Sequence, residues 1–153
     1  MELTAREDIE APLDRVFAEI TDFEGIERQV LRRGIDVQRT NDPGEVAEGL
    51  SWEAGFKFRG KTRTAAIELA QYSAPEQMVF DSVSGGLEAR TTVDLVALSR
   101  SRTRIGVTTE FVPKTLSARL LVQSLKLAKG GLDKRFKTRM AHLAKDLENR
   151  LKG

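Results

Sequence analysis

The chain has 153 residues, of which 40% are hydrophobic and 31% charged, a composition typical of one soluble domain. It has no cysteine and one histidine, which excludes disulfides, thiolate zinc sites, iron–sulfur clusters and cysteine nucleophiles. We therefore expect a single domain over residues 1–153 that needs no metal and no cofactor. The charged, alternating segment 1–10 does not fit a signal peptide, and no apolar run approaches the ~18 residues of a membrane span, so we expect a cytoplasmic protein.

The net charge of +2 is unevenly distributed along the chain. Residues 114–153 hold 11 Lys and Arg against 3 Asp and Glu, whereas residues 1–113 hold 14 against 20. A basic segment of this kind either contacts an anionic surface or forms a solvated helix face. The sequence leaves both interpretations open.

Residues 1–34 predict a strand followed by two short helices. Apolar residues of one parity between Leu3 and Ile9 indicate a half-buried strand. Pro12 suits the start of a helix over residues 12–21, and Asp22 suits the N-cap of a second helix. Gly34 is a suitable residue to end that second helix.

From Ile35 onward the hydrophobic period changes to two, which predicts six more strands joined by short turns. The clearest alternation of apolar and polar residues runs from Leu50 to Phe58. Short connections between consecutive strands favour an antiparallel meander. One face of this sheet is apolar throughout and needs a cover.

The C-terminal segment supplies this cover. Apolar residues from Ala118 to Leu151 recur at steps of three or four, which is the spacing of one face of an α-helix. The pattern predicts one helix over residues ~115–152. Gly130 and Gly131 interrupt this helical pattern. One interpretation is a tolerated kink or close packing of the helix on the sheet. The other is room for a ligand, or a hinge at the mouth of a cavity.

Three segments match, in order, the motifs of one superfamily. Residues 9–17 look like its strand-to-helix opening, Asp22-Phe23 like its junction between two short helices, and residues 74–80 like its mid-sheet turn. The chain therefore resembles the START and birch-pollen-allergen superfamily, or SRPBCC, and within it the bacterial polyketide cyclase/dehydrase and lipid-transport group. The resemblance implies an α+β helix-grip fold, in which a curved seven-stranded antiparallel sheet wraps around a long C-terminal helix and an apolar cavity. Many members bind lipids, quinones, steroids or polyketides, some catalyse reactions, and no catalytic motif is common to all.

The parity of each strand selects the side chains that would face such a cavity. Aromatic and aliphatic side chains give a pocket its shape, and the same residues also fit a filled core. The apolar candidates on the sheet are Trp52, Phe56, Phe58, Ile67, Phe80 and Phe111, and those on the helix are Leu125, Leu132 and Phe136. The polar candidates on the same face are Glu7, Arg63, Ser82, Thr91 and Thr109.

The leading hypothesis is non-catalytic binding or transport of a lipid-, quinone- or polyketide-like molecule between the sheet and the C-terminal helix. One alternative is a cyclase or dehydrase-type enzyme on the same cavity, with Glu7 as its candidate base; no catalytic residue is otherwise assigned. Another is an interaction module that uses the basic C-terminal helix on an anionic surface. Few aromatic residues lie beside the Lys and Arg residues, so we expect no specific nucleic acid partner.

Overall fold

A computed structural model describes residues 1–152, in which seven strands form one antiparallel sheet in the order β1-β7-β6-β5-β4-β3-β2. β1 and β2 are the two edges, and the strands from β2 to β7 follow one another as a meander. The predicted turns lie between these strands. The strands are β1 Glu2–Ile9, β2 Asp36–Asn41, β3 Ser51–Phe58, β4 Lys61–Ser73, β5 Gln77–Ser84, β6 Leu87–Ser99 and β7 Arg102–Pro113.

Within residues 1–152, four helices accompany the sheet: α1 Leu13–Ile20, α2 Phe23–Arg32, α3 Leu116–Leu127 and α4 Lys129–Lys152. The N-cap of α2 is as predicted, because the Asp22 carboxylate accepts a hydrogen bond from the backbone N–H of Gly25 at 3.2 Å. Gly34, just beyond α2, has a φ of +87°, which glycine adopts without strain. The α+β class and the placement of the two short helices after β1 are therefore confirmed. None of the helices within residues 1–152 is long and apolar enough to cross a membrane.

The C-terminal segment differs from the single helix predicted over residues 115–152. The helix breaks at Ala128, whose φ of −103° and ψ of 13° are not helical. The backbone N–H of Ala128 bonds to the carbonyl of Leu125 at 3.1 Å, a tight last turn that closes α3. α3 begins beside β7 and reaches the β3–β4 hairpin, where the Arg59 guanidinium donates to the Ser124 hydroxyl at 3.1 Å. α4 then packs along β1.

Gly130 and Gly131 lie in the first turn of α4, directly after this break. A Cβ atom built on either glycine meets no atom within 4 Å. Close packing of these glycines on the sheet is therefore wrong as an explanation of their presence. Gly86 presents the opposite case, because a Cβ there would overlap the side chain of Thr115, which caps α3.

We expect Gly130→Ala and Gly131→Ala to raise the free energy of unfolding by about 0.5–1 kcal/mol each, since alanine restricts the unfolded chain and meets no neighbour. Gly86→Ala is the contrasting variant and is expected to destabilise the protein, because it displaces the cap of α3. Urea unfolding of the three variants measures these changes. A loss of stability in both α4 variants would contradict the open surroundings of the two glycines.

α4 is attached to the rest of the protein near its C-terminal end. Leu147 is 5% exposed and belongs to the apolar core with Ile9 and Val16. Next to it, the Glu148 carboxylate accepts a hydrogen bond from the backbone N–H of Glu10 at 2.8 Å. This bond, together with the ammonium group of Lys145, lowers the pKa of Glu148 from its ordinary value of 4.5. The two contacts fix α4 where β1 passes into α1.

The lowered pKa of Glu148 predicts a pH dependence of folding. A carboxylate with a depressed pKa in the folded state stabilises the fold above its unfolded pKa, and this contribution is lost as the pH falls through the folded value. We therefore expect Glu148→Gln to melt at a lower temperature than the wild type at pH 7, and the difference to shrink below pH 4.5. Glu53→Gln, an exposed carboxylate on β3, is the control. A difference that stays constant from pH 7 to low pH would contradict this role for the Glu148 carboxylate.

Candidate ligand-binding cavity

The position of α4 leaves space against the inner face of the sheet. α4 packs chiefly on the edge strand β1 rather than on the strands at the centre of the sheet. The apolar core, which includes Ile9, Leu50, Leu69 and Leu147, fills the end of the sheet nearest α1. Between this core, the helices and the strands lie two cavities, which we call the sheet cavity and the helix cavity.

The sheet cavity lies between α2 and the inner face of β2 to β7. Its volume is about 360 Å³. Its lining is apolar apart from one carboxylate, Glu27. The lining residues are Ile20, Phe23, Ile26, Glu27, Val30, Val37, Trp52, Ile67, Met78, Phe80, Val93, Ile105 and Val107.

The helix cavity lies between β1, β7 and the helices α1, α2 and α4, and has a volume of about 400 Å³. α4 contributes the apolar residues Met140, Leu143 and Leu147 to its lining. Charged residues from α1, α4 and the end of α2 line it as well. Arg139 and Arg150 are exposed and therefore mark the side of the cavity that faces solvent.

The two cavities adjoin each other. Five residues line both of them, namely Ile20, Ile26, Val30, Ile105 and Val107. Each volume lies within the ~300–1,000 Å³ that is usual for small-molecule sites. The two cavities thus share an apolar wall between the inner face of the sheet and the side of α4.

Three aromatic rings pack together along one wall of the sheet cavity. The centroids of Phe23 and Trp52 are 5.1 Å apart with an interplanar angle of 61°, and those of Phe23 and Phe80 are 6.1 Å apart at 84°. Such edge-to-face contacts are favourable for aromatic pairs. Phe23 and Trp52 are 8% and 6% exposed, so their packing holds this wall in one shape.

Glu27 is the polar group of the sheet cavity. Its Oε2 atom accepts a hydrogen bond from the indole Nε1–H of Trp52 and another from Nε–H of Arg39, both at 2.7 Å. The bond to Glu27 raises the pKa of Arg39, which also donates to Asp42 at 3.1 Å. A half-buried carboxylate is tolerated beside an apolar cavity because these donors compensate its charge.

Sequence reasoning did not select Glu27, although the sequence contains a signal for it. Phe23, Ile26, Glu27 and Val30 follow the i, i+3, i+4, i+7 spacing of one helix face. A carboxylate within an apolar stripe must have a partner, and the inner-face Trp52 must have an acceptor for its indole N–H. The hydrogen bond from the Trp52 indole N–H to the Glu27 carboxylate meets both requirements.

Four of the residues selected from the sequence line the cavities. Trp52, Ile67 and Phe80 line the sheet cavity, and Glu7 lines the helix cavity from β1, where it is half-buried between Ala5 and Ile9. The remaining candidates lie toward the α3 end of the molecule, outside these two linings. They are Phe56, Phe58, Arg63, Ser82, Thr91, Thr109, Phe111, Leu125, Leu132 and Phe136.

The hydroxyl groups among these residues bond within the sheet. The Thr91 and Thr109 hydroxyls are 3.0 Å apart and bond to each other, and the Ser82 hydroxyl donates to the carbonyl of Ala89 at 3.4 Å. Arg63 is exposed and its guanidinium lies 5.6 Å from the ring centroid of Phe58. These side chains therefore already have protein partners. They lie at the end of the inner face that is away from the apolar core.

The fold is shared with proteins of known structure. The chain is similar to the Zhui aromatase/cyclase from Streptomyces sp. R1128, at 12% identity and a TM-score of 0.68, over 99% of this chain and 95% of that one. It is also similar to a START superfamily protein from Mycobacterium smegmatis, at 12% identity and a TM-score of 0.57, over 88% and 95%. A third match is Ara h 8.0201, at 15% identity and a TM-score of 0.60, over 88% and 93%. No protein-family model matches the chain, and no curated protein is significantly similar to it in sequence.

These likenesses show which fold the chain has. The chain has the helix-grip fold of the START/SRPBCC superfamily, which confirms the fold predicted from the order of its elements. In this chain the fold holds two adjoining cavities, and the sheet cavity has one carboxylate in its lining, the paired Glu27.

The bond between Glu27 and Trp52 predicts a measurable coupling. We expect Glu27→Ala to lower the free energy of unfolding by about 1–3 kcal/mol, because it leaves the indole N–H and Arg39 without their acceptor. Combined with Trp52→Phe in a double-mutant cycle, it should show a coupling of about 0.5–3 kcal/mol. Arg28→Ala, an exposed change on the same helix, should stay within about 0.5 kcal/mol. Strict additivity of the Glu27 and Trp52 variants in urea unfolding would contradict the bond.

Proposed function

We propose that the protein binds or carries a hydrophobic small molecule, lipid-, quinone- or polyketide-like, without catalysing a reaction on it. The observation that carries this proposal is the pair of adjoining apolar cavities of about 360 and 400 Å³. Burial of ~400 Å² of apolar ligand surface would contribute about 10 kcal/mol, against an association cost of ~4–15 kcal/mol. A wall held in shape by aromatic packing lowers the ordering part of that cost.

Glu27 would orient the ligand in the sheet cavity. Its Oε2 atom serves both protein donors, while Oε1 accepts no hydrogen bond from residues 1–152. An oxygen of this kind suits a hydroxyl or an amine on the ligand, and it disfavours a carboxylate because of like-charge repulsion. The proposed ligand is therefore an apolar molecule with a hydrogen-bond donor at the end that enters the sheet cavity.

A cyclase or dehydrase-type enzyme on the same cavities is the second candidate. It is favoured by Glu7, a half-buried carboxylate on the wall of the helix cavity, and by the presence of an aromatase/cyclase among the proteins of similar fold. Native mass spectrometry of the wild type and of Glu7→Gln, purified from the same host, separates the two functions. A carrier retains the same ligand mass in both proteins. An enzyme that uses Glu7 retains different masses, such as a pair that differs by one water.

The binding proposal predicts that a change from valine to phenylalanine affects probe affinity on one face of β6 and not on the other. Val93 lines the sheet cavity, whereas Val96 on the same strand is 54% exposed on the outer face. We expect Val93→Phe to weaken binding of the uncharged probe N-phenyl-1-naphthylamine, which carries an N–H donor, by about tenfold or more, because the added ring occupies the cavity. Val96→Phe should leave the affinity unchanged. Energy transfer from Trp52, the only tryptophan in the chain, reports probe bound near the sheet cavity.

The melting temperatures of the two variants complete this test. A phenylalanine that enters a real cavity costs little, whereas overpacking of a filled core costs about 1–3 kcal/mol. Val93→Phe should therefore melt close to the wild type. A marked loss of stability with unchanged probe affinity would contradict a ligand site in the sheet cavity.

A further inference from the structure

The outward face of α3 carries three exposed leucines. Leu116, Leu120 and Leu127 are 73%, 63% and 93% exposed. At about 100° per residue these positions lie within about 40° of one another around the helix. The face opposite to them carries Ala118 and Val122, which are buried against the protein. α3 is therefore apolar on two sides, and only one side has a partner within residues 1–152.

Cationic side chains surround these leucines. Arg119 and Lys126 lie on α3 itself and are exposed. The β3–β4 hairpin adds Lys57, Arg59, Lys61 and Arg63, all exposed, and the bond from Arg59 to Ser124 places this hairpin beside α3. Residues 57–63 and 114–129 contain no Asp or Glu. The leucine face and the cations thus occupy one end of the molecule.

We propose that α3 and the β3–β4 hairpin form a docking surface for an anionic lipid bilayer. An amphipathic helix with leucines on one side and Lys and Arg beside them lies in the plane of a membrane interface, with its apolar face at the acyl boundary. The cations of the hairpin and the flank of α3 then contact the lipid phosphates. This inference does not rest on the proposed ligand, since it uses no residue of either cavity.

The same features argue against other occupants of this surface. A second copy of the chain would bring two sets of cations together, and like charges at an interface oppose association. A nucleic acid would place its phosphates against three exposed leucines and gain nothing from burying them. An anionic bilayer is the partner that matches both the leucines and the cations.

Cosedimentation with lipid vesicles tests the proposal. The wild type should bind vesicles of phosphatidylcholine mixed with phosphatidylglycerol, and bind vesicles of phosphatidylcholine alone much less. Replacement of Leu116, Leu120 and Leu127 by serine should weaken binding at least about tenfold. Each of Lys61→Gln and Lys126→Gln should weaken it about fivefold, and added salt should weaken it further.

The matched control changes three exposed apolar residues elsewhere, Leu31, Val96 and Leu98, to serine and should bind as the wild type does. Melting curves check that each variant is folded, and the single variant Leu127→Ser carries the test if the triple variant is not. Three outcomes would overturn the proposal: no binding to either vesicle, equal binding to both, or unchanged binding of the leucine variants. A wild-type dimer that the leucine variants abolish, with no vesicle binding, would assign the face to self-association instead.

Discussion

The attachment of α4 to the edge of the sheet is the constraint on which both cavities depend. Leu147 in the core and the bond from Glu10 to Glu148 hold the helix where β1 turns into α1. Seven strands at ~4.8 Å spacing make a sheet about 29 Å across, whereas a helix with its side chains is ~10–12 Å wide. A helix fixed at the edge therefore cannot also cover the centre. α2 covers part of the remainder, and the uncovered apolar surface becomes the walls of the two cavities.

Polar groups on the inner face fall into two kinds, and this difference decides which of them can recognise a ligand. The hydroxyls of Ser82, Thr91 and Thr109 bond to carbonyls or to one another within the sheet, so a ligand would have to break an existing bond to use them. Glu27 accepts both of its hydrogen bonds on one oxygen and retains capacity on the other. Under the proposed function, one carboxylate in an otherwise apolar lining would orient a ligand at little cost in apolar contact area.

The sequence predicts the strands and the two short helices because hydrophobic period, proline and cap residues are local signals, as at Pro12 and Asp22. Parity also identifies the inner face, but it does not say how far along a strand the cavity lies. Trp52 and Phe56 share a face of β3, as Phe80 and Ser82 share a face of β5, and only the first of each pair lines the sheet cavity. The break at Ala128 and the role of Glu27 depend on packing between distant elements, which a periodic pattern does not contain.

The contacts that α4 makes beside the helix cavity differ in strength. At the solvent side of the helix cavity, Arg150 on α4 pairs with Glu19 on α1 at 3.5 Å, with side chains 48% and 34% exposed. An ion pair as exposed as this contributes only ~0–1 kcal/mol, so it can separate at little cost. Leu147 and Glu148 are 5% and 8% exposed and hold the same segment of α4 to the core and to Glu10. Loss of this ion pair would therefore leave α4 attached to β1 and the apolar core intact.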